Sequence, residues 1–302
     1  MRTDTDRHGR TRTNTYNAGM ATTTSFTLPS PAGATLDGFV DLPDPQLHPG
    51  ARPAVVICHG FKGFMEWGFF PHLATLLAER GFVAVRCNLS GSGMRPGDDR
   101  VADPEAFRAN THSREVEDFL TVLAATGTEI AAGLVDTARI GLFGHSRGGG
   151  NALLASVREP WRERVRALVT WAAVADFDRY PPDQKEAWRR DGELPAVNAR
   201  TGQQLALGLG LLEDLEAHRD ELDLLAAAAH RRAPWLIVHG GGDESVPFSD
   251  GERLAAHAAP PAELLQIPEA DHTFGSRHPF AGPSPWLIQA LNATQSWFRR
   301  HL

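Results

Sequence analysis

Ala138-Arg139-Ile140-Gly141-Leu142-Phe143-Gly144-His145-Ser146-Arg147-Gly148-Gly149-Gly150-Asn151-Ala152-Leu153-Leu154-Ala155 is the stretch whose reading decides the fold. Its first six residues predict a short buried strand, and the small and apolar residues from Gly149 to Ala155 predict a helix. Between them, Gly144-His145-Ser146-Arg147-Gly148 is a G-x-S-x-G turn that sets a serine where strand gives way to helix. Side chains two before and two after the serine would collide in so tight a turn, so Gly144 and Gly148 have none. The serine is expected in a strained backbone conformation, its hydroxyl over the sheet edge. The helix N-terminus beneath it offers unpaired N–H groups and a positive dipole end where acyl transfer develops negative charge. A plain glycine-rich turn fits these five residues as well. A dinucleotide phosphate loop does not, because Ser146 stands where that fingerprint needs a glycine, and no Gly-Lys-Ser/Thr follows.

A serine hydroxyl needs a base, and the base needs an acid to fix its tautomer. In this kind of turn the order along the chain is Ser, Asp or Glu, then His. Pro234-Trp235-Leu236-Ile237-Val238 predicts a buried strand running into His239-Gly240-Gly241-Gly242-Asp243-Glu244-Ser245-Val246-Pro247. Asp243 therefore falls just past a strand's carboxyl end, where ligand chemistry gathers in open parallel sheets. Glu263-Leu264-Leu265-Gln266-Ile267 predicts another strand, and His272 follows it in Pro268-Glu269-Ala270-Asp271-His272. Glu244 and Asp176 are alternative acids, His278 is an alternative base, and Asp243 could instead cap the helix that begins near Ser249.

Pro53-Ala54-Val55-Val56-Ile57-Cys58 is almost purely apolar, as a strand covered on both faces must be, and ends in His59-Gly60-Phe61-Lys62-Gly63. One oxyanion donor is expected from the backbone N–H of Arg147 and the other from this loop, at Phe61. With these motifs the chain resembles an α/β-hydrolase from about Thr22 to Leu302. Within that superfamily it is similar to small bacterial cinnamoyl esterases and to the catalytic domains of dipeptidyl- and acylaminoacyl-peptidases. Those peptidases carry an N-terminal propeller for which this chain has no room, and cinnamoyl esterases often have another residue where Arg147 stands. The resemblance implies a mostly parallel central sheet with helices on both faces. It implies catalytic Ser146, Asp243 and His272, with Phe61 and Arg147 N–H groups as the oxyanion hole.

The remaining pattern agrees with that architecture. Ser25 to Leu28 and Thr35 to Leu42 predict an opening hairpin, and a helix from Phe70 to Arg80 leads to the strand Phe82 to Cys87. The helix His112 to Ala125 precedes the serine's strand, and this alternation predicts a parallel sheet. Residues 22–174 and 233–302 read as the core. Between Ala175 and Arg232 the pattern breaks into a polar, aromatic segment, a hairpin around Ala199-Arg200-Thr201-Gly202, and an alanine-rich helix from Leu211 to Ala229. This insertion, between the sixth and seventh core strands, reads either as a cap over the serine or as inert decoration. Its aromatics, with Phe61, Phe64, Trp67, Phe69 and Phe70, are expected to build an apolar acyl pocket.

Residues 1–21 are polar, lack an apolar run for a signal peptide, and read as a disordered extension. The net charge of −7 gives no basic field for nucleic acid or an anionic membrane, and no apolar run is long enough to span a bilayer. The two cysteines, Cys58 and Cys87, fall on core strands and read as buried free thiols, consistent with a cytoplasmic enzyme. Lys62 is one of only two lysines beside 28 arginines, and reads either as a solvated loop residue or as a contact for an acidic substrate group. The expectation is a serine esterase for small-molecule carboxylic esters with apolar or aromatic acyl parts, needing no cofactor or metal. An amidase, short-peptide hydrolase or thioesterase would use the same residues. A non-catalytic ligand sensor on the same fold is the reading from another class.

Overall fold

The computed structural model describes residues 21–302; of the extension read over residues 1–21, all but Ala21 lies outside the described residues. Strands β1 (Ala21–Pro29) and β2 (Thr35–Pro43) form an antiparallel hairpin. Then come β3 (Arg52–Cys58), β4 (Val83–Cys87), β5 (Val135–His145) and β6 (Val165–Trp171). A separate hairpin pairs β7 (Glu193–Pro195) with β8 (Ala206–Gly208), and β9 (Trp235–Gly240) and β10 (Ala262–Ile267) complete the main sheet. Its order is β1-β2-β4-β3-β5-β6-β9-β10, antiparallel at β1/β2 and β2/β4 and parallel from β4 to β10.

Among the described residues, ten α-helices lie between or after these strands: α1 (Phe70–Glu79), α2 (Pro104–Arg108), α3 (His112–Ala125), α4 (Arg147–Ala155), α5 (Trp161–Arg164), α6 (Pro182–Asp191), α7 (Leu209–Ala217), α8 (Leu224–His230), α9 (Phe248–His257) and α10 (Pro285–His301). Both faces of the sheet are covered, and β3 shows why its sequence is apolar throughout. Ala54, Val56 and Cys58 join the core under α3, α4, α8 and α9, whereas Val55 and Ile57 join the core under α1 and α10. Cys58 and Cys87 lie on neighbouring strands as buried free thiols, and burial pushes both thiol pKa values up.

The chain between β6 and β9 carries α6, β7, β8, α7 and α8. Trp188, Leu205, Leu207, Leu211 and Leu212 form a third core there with Phe107, and Phe61 and Tyr180 pack against it. The single helix expected over Leu211–Ala229 is two helices. Asp223 accepts the N–H groups of Leu225 and Ala226, capping a new start at α8 after the turn that ends α7. Among the described residues, no helix is long and apolar enough to cross a membrane. Because β3, β5, β6, β9 and β10 run parallel, the loops holding Phe61, Ser146, Asp243 and His272 all leave the same edge of the sheet.

Candidate active site

Ser146 is the N-cap of α4, with φ 58° and ψ −126°, a conformation that L-residues adopt rarely. Its own N–H donates to the Trp171 carbonyl at 2.8 Å, pinning the turn to β6. A Cβ at Gly144 would collide with the Gly148 carbonyl, and one at Gly148 with that of His59, so the turn closes only with glycine at both ends.

The structure brings Ser146, His272 and Asp243 together. Ser146 Oγ lies 3.0 Å from His272 Nε2, and His272 Nδ1 lies 2.7 Å from Asp243 Oδ2. Only a proton on Nδ1 satisfies the carboxylate, which leaves Nε2 to accept from the serine hydroxyl. Asp243 Oδ1 accepts the N–H groups of Ser245 and Val246, both at 2.9 Å. Burial pushes the Asp243 carboxyl pKa up. The His272 ring and these two N–H groups outweigh burial, and the net shift is below the ordinary carboxylate value.

The alternatives lie apart from this relay. Glu244 is exposed. Asp176 is also exposed and accepts the Asp178 N–H at 2.8 Å. His278 Nδ1 accepts the Gly68 N–H at 3.1 Å, and α9 is capped at Pro247 with no side-chain bond from Asp243.

Gly60 packs against the serine turn: a Cβ there would lie 2.9 Å from both the His145 carbonyl oxygen and Ser146 Cβ. The loop after β3 is thereby held against Ser146. Among the described residues, the backbone N–H groups of Phe61 and Arg147 have no hydrogen-bond acceptor, in keeping with orphan donors at a loop and a helix start.

Three histidines at the ends of core strands brace these loops. His145, at the end of β5, donates Nε2–H to the His272 carbonyl at 2.8 Å. His239, in β9, donates Nε2–H to the Val246 carbonyl at 2.9 Å. His59, just past β3, accepts the Leu89 N–H at Nε2 and donates Nδ1–H to the Gly60 carbonyl. Burial lowers the pKa of all three, that of His145 to about 3, so each is the neutral donor its bonds require. Their roles were not legible from residue type alone, although a polar residue closing each buried strand was a visible signal.

A cleft of about 380 Å³ opens at Ser146 and His272. Phe61, Val174, Phe177, Tyr180 and Val246 give it an apolar wall, and Arg147, Asp176 and Arg179 reach its surface. Arg179 is held by Asp250 at 2.8 Å and by the Ser245 carbonyl at 3.0 Å. The expected contribution of Phe64, Trp67, Phe69 and Phe70 to this pocket needs correction. Phe64, Phe69 and Phe70 are fully buried, and Phe69 and Phe70 turn into the core under α1, where Phe69 packs on Trp171 at 5.0 Å. Trp67 packs against that same core. Lys62 donates to the Val197 carbonyl of the inserted hairpin at 2.7 Å, so it is tied to backbone and not simply solvated. Among the described residues, no set of three His, Cys, Asp or Glu side chains is grouped as metal ligands.

The sequence profile of the prolyl oligopeptidase family matches residues 67–301. An uncharacterized 31.7 kDa protein of Escherichia coli, from the traX-finO intergenic region, is 24% identical over 284 residues, covering 83% of this chain and 92% of its own. Est1E from Butyrivibrio proteoclasticus, solved with ferulic acid bound, is similar with a TM-score of 0.67 at 21% identity, over 91% of this chain and 98% of that one. Acetyl xylan esterase from Paenibacillus sp. R4 is similar with a TM-score of 0.66 at 17% identity, over 98% of this chain and 90% of that one. At these identities the two solved structures speak for the α/β-hydrolase fold.

Proposed function

This chain belongs to the prolyl oligopeptidase family and is a serine hydrolase of α/β-hydrolase fold; from that premise we propose that it cleaves carboxylic esters with apolar or aromatic acyl groups. The observation that carries the reading is the hydrogen-bonded relay from Ser146 through His272 to Asp243 at the floor of an apolar cleft. In this reading Ser146 Oγ attacks the ester carbonyl carbon while His272 Nε2 takes the hydroxyl proton. The carbonyl π bond becomes an oxyanion held by the N–H groups of Phe61 and Arg147. Collapse of the tetrahedral species breaks the bond to the alkoxy group, which leaves with the proton from His272. Water then repeats the sequence on the acyl-enzyme, releasing the acid and restoring Ser146. Asp243 keeps the proton of His272 on Nδ1 throughout.

Support for an ester comes from the cleft wall, which offers aromatic and aliphatic faces to an acyl chain, and from the esterases among the structural relatives. Residues 175–232 act in this reading as a cap, since Asp176, Phe177, Arg179 and Tyr180 of that segment line the cleft. The prolyl oligopeptidase match favours a second reading, an amidase acting on short peptides, by the same steps. A panel of p-nitrophenyl esters of graded acyl length, run beside p-nitroanilides and acyl-CoA thioesters, tests the choice. Ester turnover at least tenfold above anilide turnover is expected, and the reverse ranking would install the amidase. Labelling of Ser146 by a fluorophosphonate separates either enzyme from a non-catalytic sensor, which would stay unlabelled.

A further inference from the structure

The residue after the nucleophile is an arginine whose side chain lies against the loop that follows β3. Its guanidinium carbon sits 4.1 Å from the centroid of the Phe61 ring. Its Nη1 donates to Glu115 Oε1 at 3.3 Å, with the two side chains only 10% and 7% exposed. Glu115, on α3, is itself fixed from two sides: Asn110 Nδ2 donates to Oε1 at 2.6 Å and Asn151 Nδ2 to Oε2 at 2.9 Å. The Phe61 ring stacks in addition on Phe107 at 5.6 Å. A cation over an aromatic face gains strength when desolvated, and a buried ion pair persists only where its geometry and further hydrogen bonds satisfy it. None of this is needed for Arg147 to present a backbone N–H, which every residue except proline has.

We infer that the Arg147 guanidinium, tethered to Glu115 and lying on the Phe61 ring, fixes the two oxyanion donors relative to one another, so that the Arg147 side chain and Glu115 are positioning residues for the reaction. The inference rests on the reading of the Phe61 and Arg147 N–H groups as those donors. They belong to different segments, the loop after β3 and the start of α4. A donor is effective only when it lies about 2.7–3.1 Å from the developing charge, and a displacement of about 1 Å can cost on the order of 10²-fold in rate. A side chain that ties one donor residue to the other, and is anchored on a third element, holds that spacing. Glu115 acts through Arg147 without touching substrate.

The test measures kcat and KM for p-nitrophenyl acetate together with inhibition by an alkyl trifluoromethyl ketone. That ketone adds Ser146 Oγ to its carbonyl carbon, passes the hydroxyl proton to His272, and places the resulting hemiketal oxyanion between the two N–H groups. The variants are Arg147→Ala, Arg147→Lys, Glu115→Gln, Phe61→Leu and the double variant Arg147→Ala/Phe61→Leu. Arg147→Ala and Glu115→Gln are expected to lower kcat about tenfold or more, short of the roughly 10²- to 10³-fold cost of deleting a donor. KM should stay within about twofold, because ground-state binding of so small an ester is untouched. The ketone's inhibition constant should rise by the factor by which kcat/KM falls, and the double variant should be no worse than the worse single, since both interrupt one stack. Arg147→Lys keeps the charge but not the planar contact, and should fall with the alanine variant.

Glu115→Gln keeps the test decisive should Arg147→Ala unfold. Among the described residues, Asn110 Oδ1 and Asn151 Oδ1 have no partner, so a flipped amide can accept the N–H that glutamine introduces. Unchanged kcat in Arg147→Ala, or a loss confined to KM with ketone inhibition intact, would overturn the inference. A folded wild type that neither turns over the ester nor binds the ketone would instead overturn the hydrolase reading from which it starts.

Discussion

His145 holds the backbone of His272: its ring Nε2–H donates to the His272 carbonyl at 2.8 Å, so the residue beside Ser146 also fixes the loop of His272. The Phe69 ring meets His145 edge-on at 5.3 Å, which leaves the imidazole little room to turn. His145→Ala should therefore lower kcat for p-nitrophenyl acetate by about 10- to 10²-fold, a misplacement cost, with little change in KM. His145→Gln, which retains an N–H donor, should recover part of that loss. Steady-state kinetics of the pair decide the matter, and wild-type turnover in the alanine variant would remove the bracing role.

Ser146→Ala should reduce ester turnover by roughly 10⁴- to 10⁶-fold while leaving the circular dichroism spectrum intact, because in the proposed mechanism the three groups act as a unit. His272→Ala should be comparably damaging, and His278→Ala should retain activity, since His278 accepts the Gly68 N–H and lies outside the relay. Asp243→Asn should cost about 10⁴-fold, because the amide favours the wrong imidazole tautomer. The exposed Glu244 should tolerate glutamine. Reversed severities for the two acids would show Asp243 to be misassigned.

Tyr180→Ala tests what the cleft wall selects. Tyr180 lines the cleft and packs edge-on against Trp188, whereas Ser146 and the loop of Phe61 belong to the core. The variant should keep its rate on p-nitrophenyl acetate and lose its preference among longer or aromatic acyl groups, since each buried methylene is worth about 0.8 kcal/mol. Specificity constants from acetate to octanoate and cinnamate measure this, and an unaltered ranking would make Tyr180 irrelevant to selection.

Acid should weaken the fold through its buried histidines. The His145 pKa falls from 6.5 to about 3 on folding, chiefly through burial. Between those values the unfolded chain binds the proton and the folded chain does not, so stability rises with pH. The contribution is complete above about pH 6.5 and is lost progressively toward pH 3; between pH 7 and pH 5 it amounts to about 2 kcal/mol for this one group. Urea unfolding at the two pH values should show a drop at pH 5, and His145→Gln should remove about that much of it. Identical pH dependence in both proteins would mean that other groups govern it.

The strands were legible because they are covered on both faces: β3, β6 and β9 are apolar almost throughout, and their shortness, their Val, Ile and Thr content and the turn residues that bound them separate such a run from a buried helix. Ser146, Asp243 and His272 were readable as candidates for a related reason, since each follows a strand that points the same way. Orientation within loops was not readable. Nothing in Phe61, Phe64, Phe69 and Phe70 as residue types tells that the first borders the cleft while Phe69 and Phe70 turn into the core and Phe64 is buried against His278. The break between α7 and α8 escaped because apolar periodicity continues across it, and Asp223 restarts the helix by a side-chain cap that periodicity does not register. The bracing by His59, His145 and His239 depends on carbonyls that tertiary structure alone brings within reach.

Lys62 ties the loop after β3 to the segment between β6 and β9 through the Val197 carbonyl, and Lys185 pairs with Asp178 inside that segment. With arginine supplying the other 28 basic side chains, amine-directed reagents address the side chains of this protein almost nowhere else. Burial and the nearby Arg147 charge lower the Lys62 pKa, which leaves more of its amine unprotonated and reactive at a given pH. Acylation of that amine removes its charge and sets a bulky group against Val197 while leaving a single amide N–H to donate, so a mild acylating dye acts by crowding and neutralising this junction and carries a fluorescent label to it.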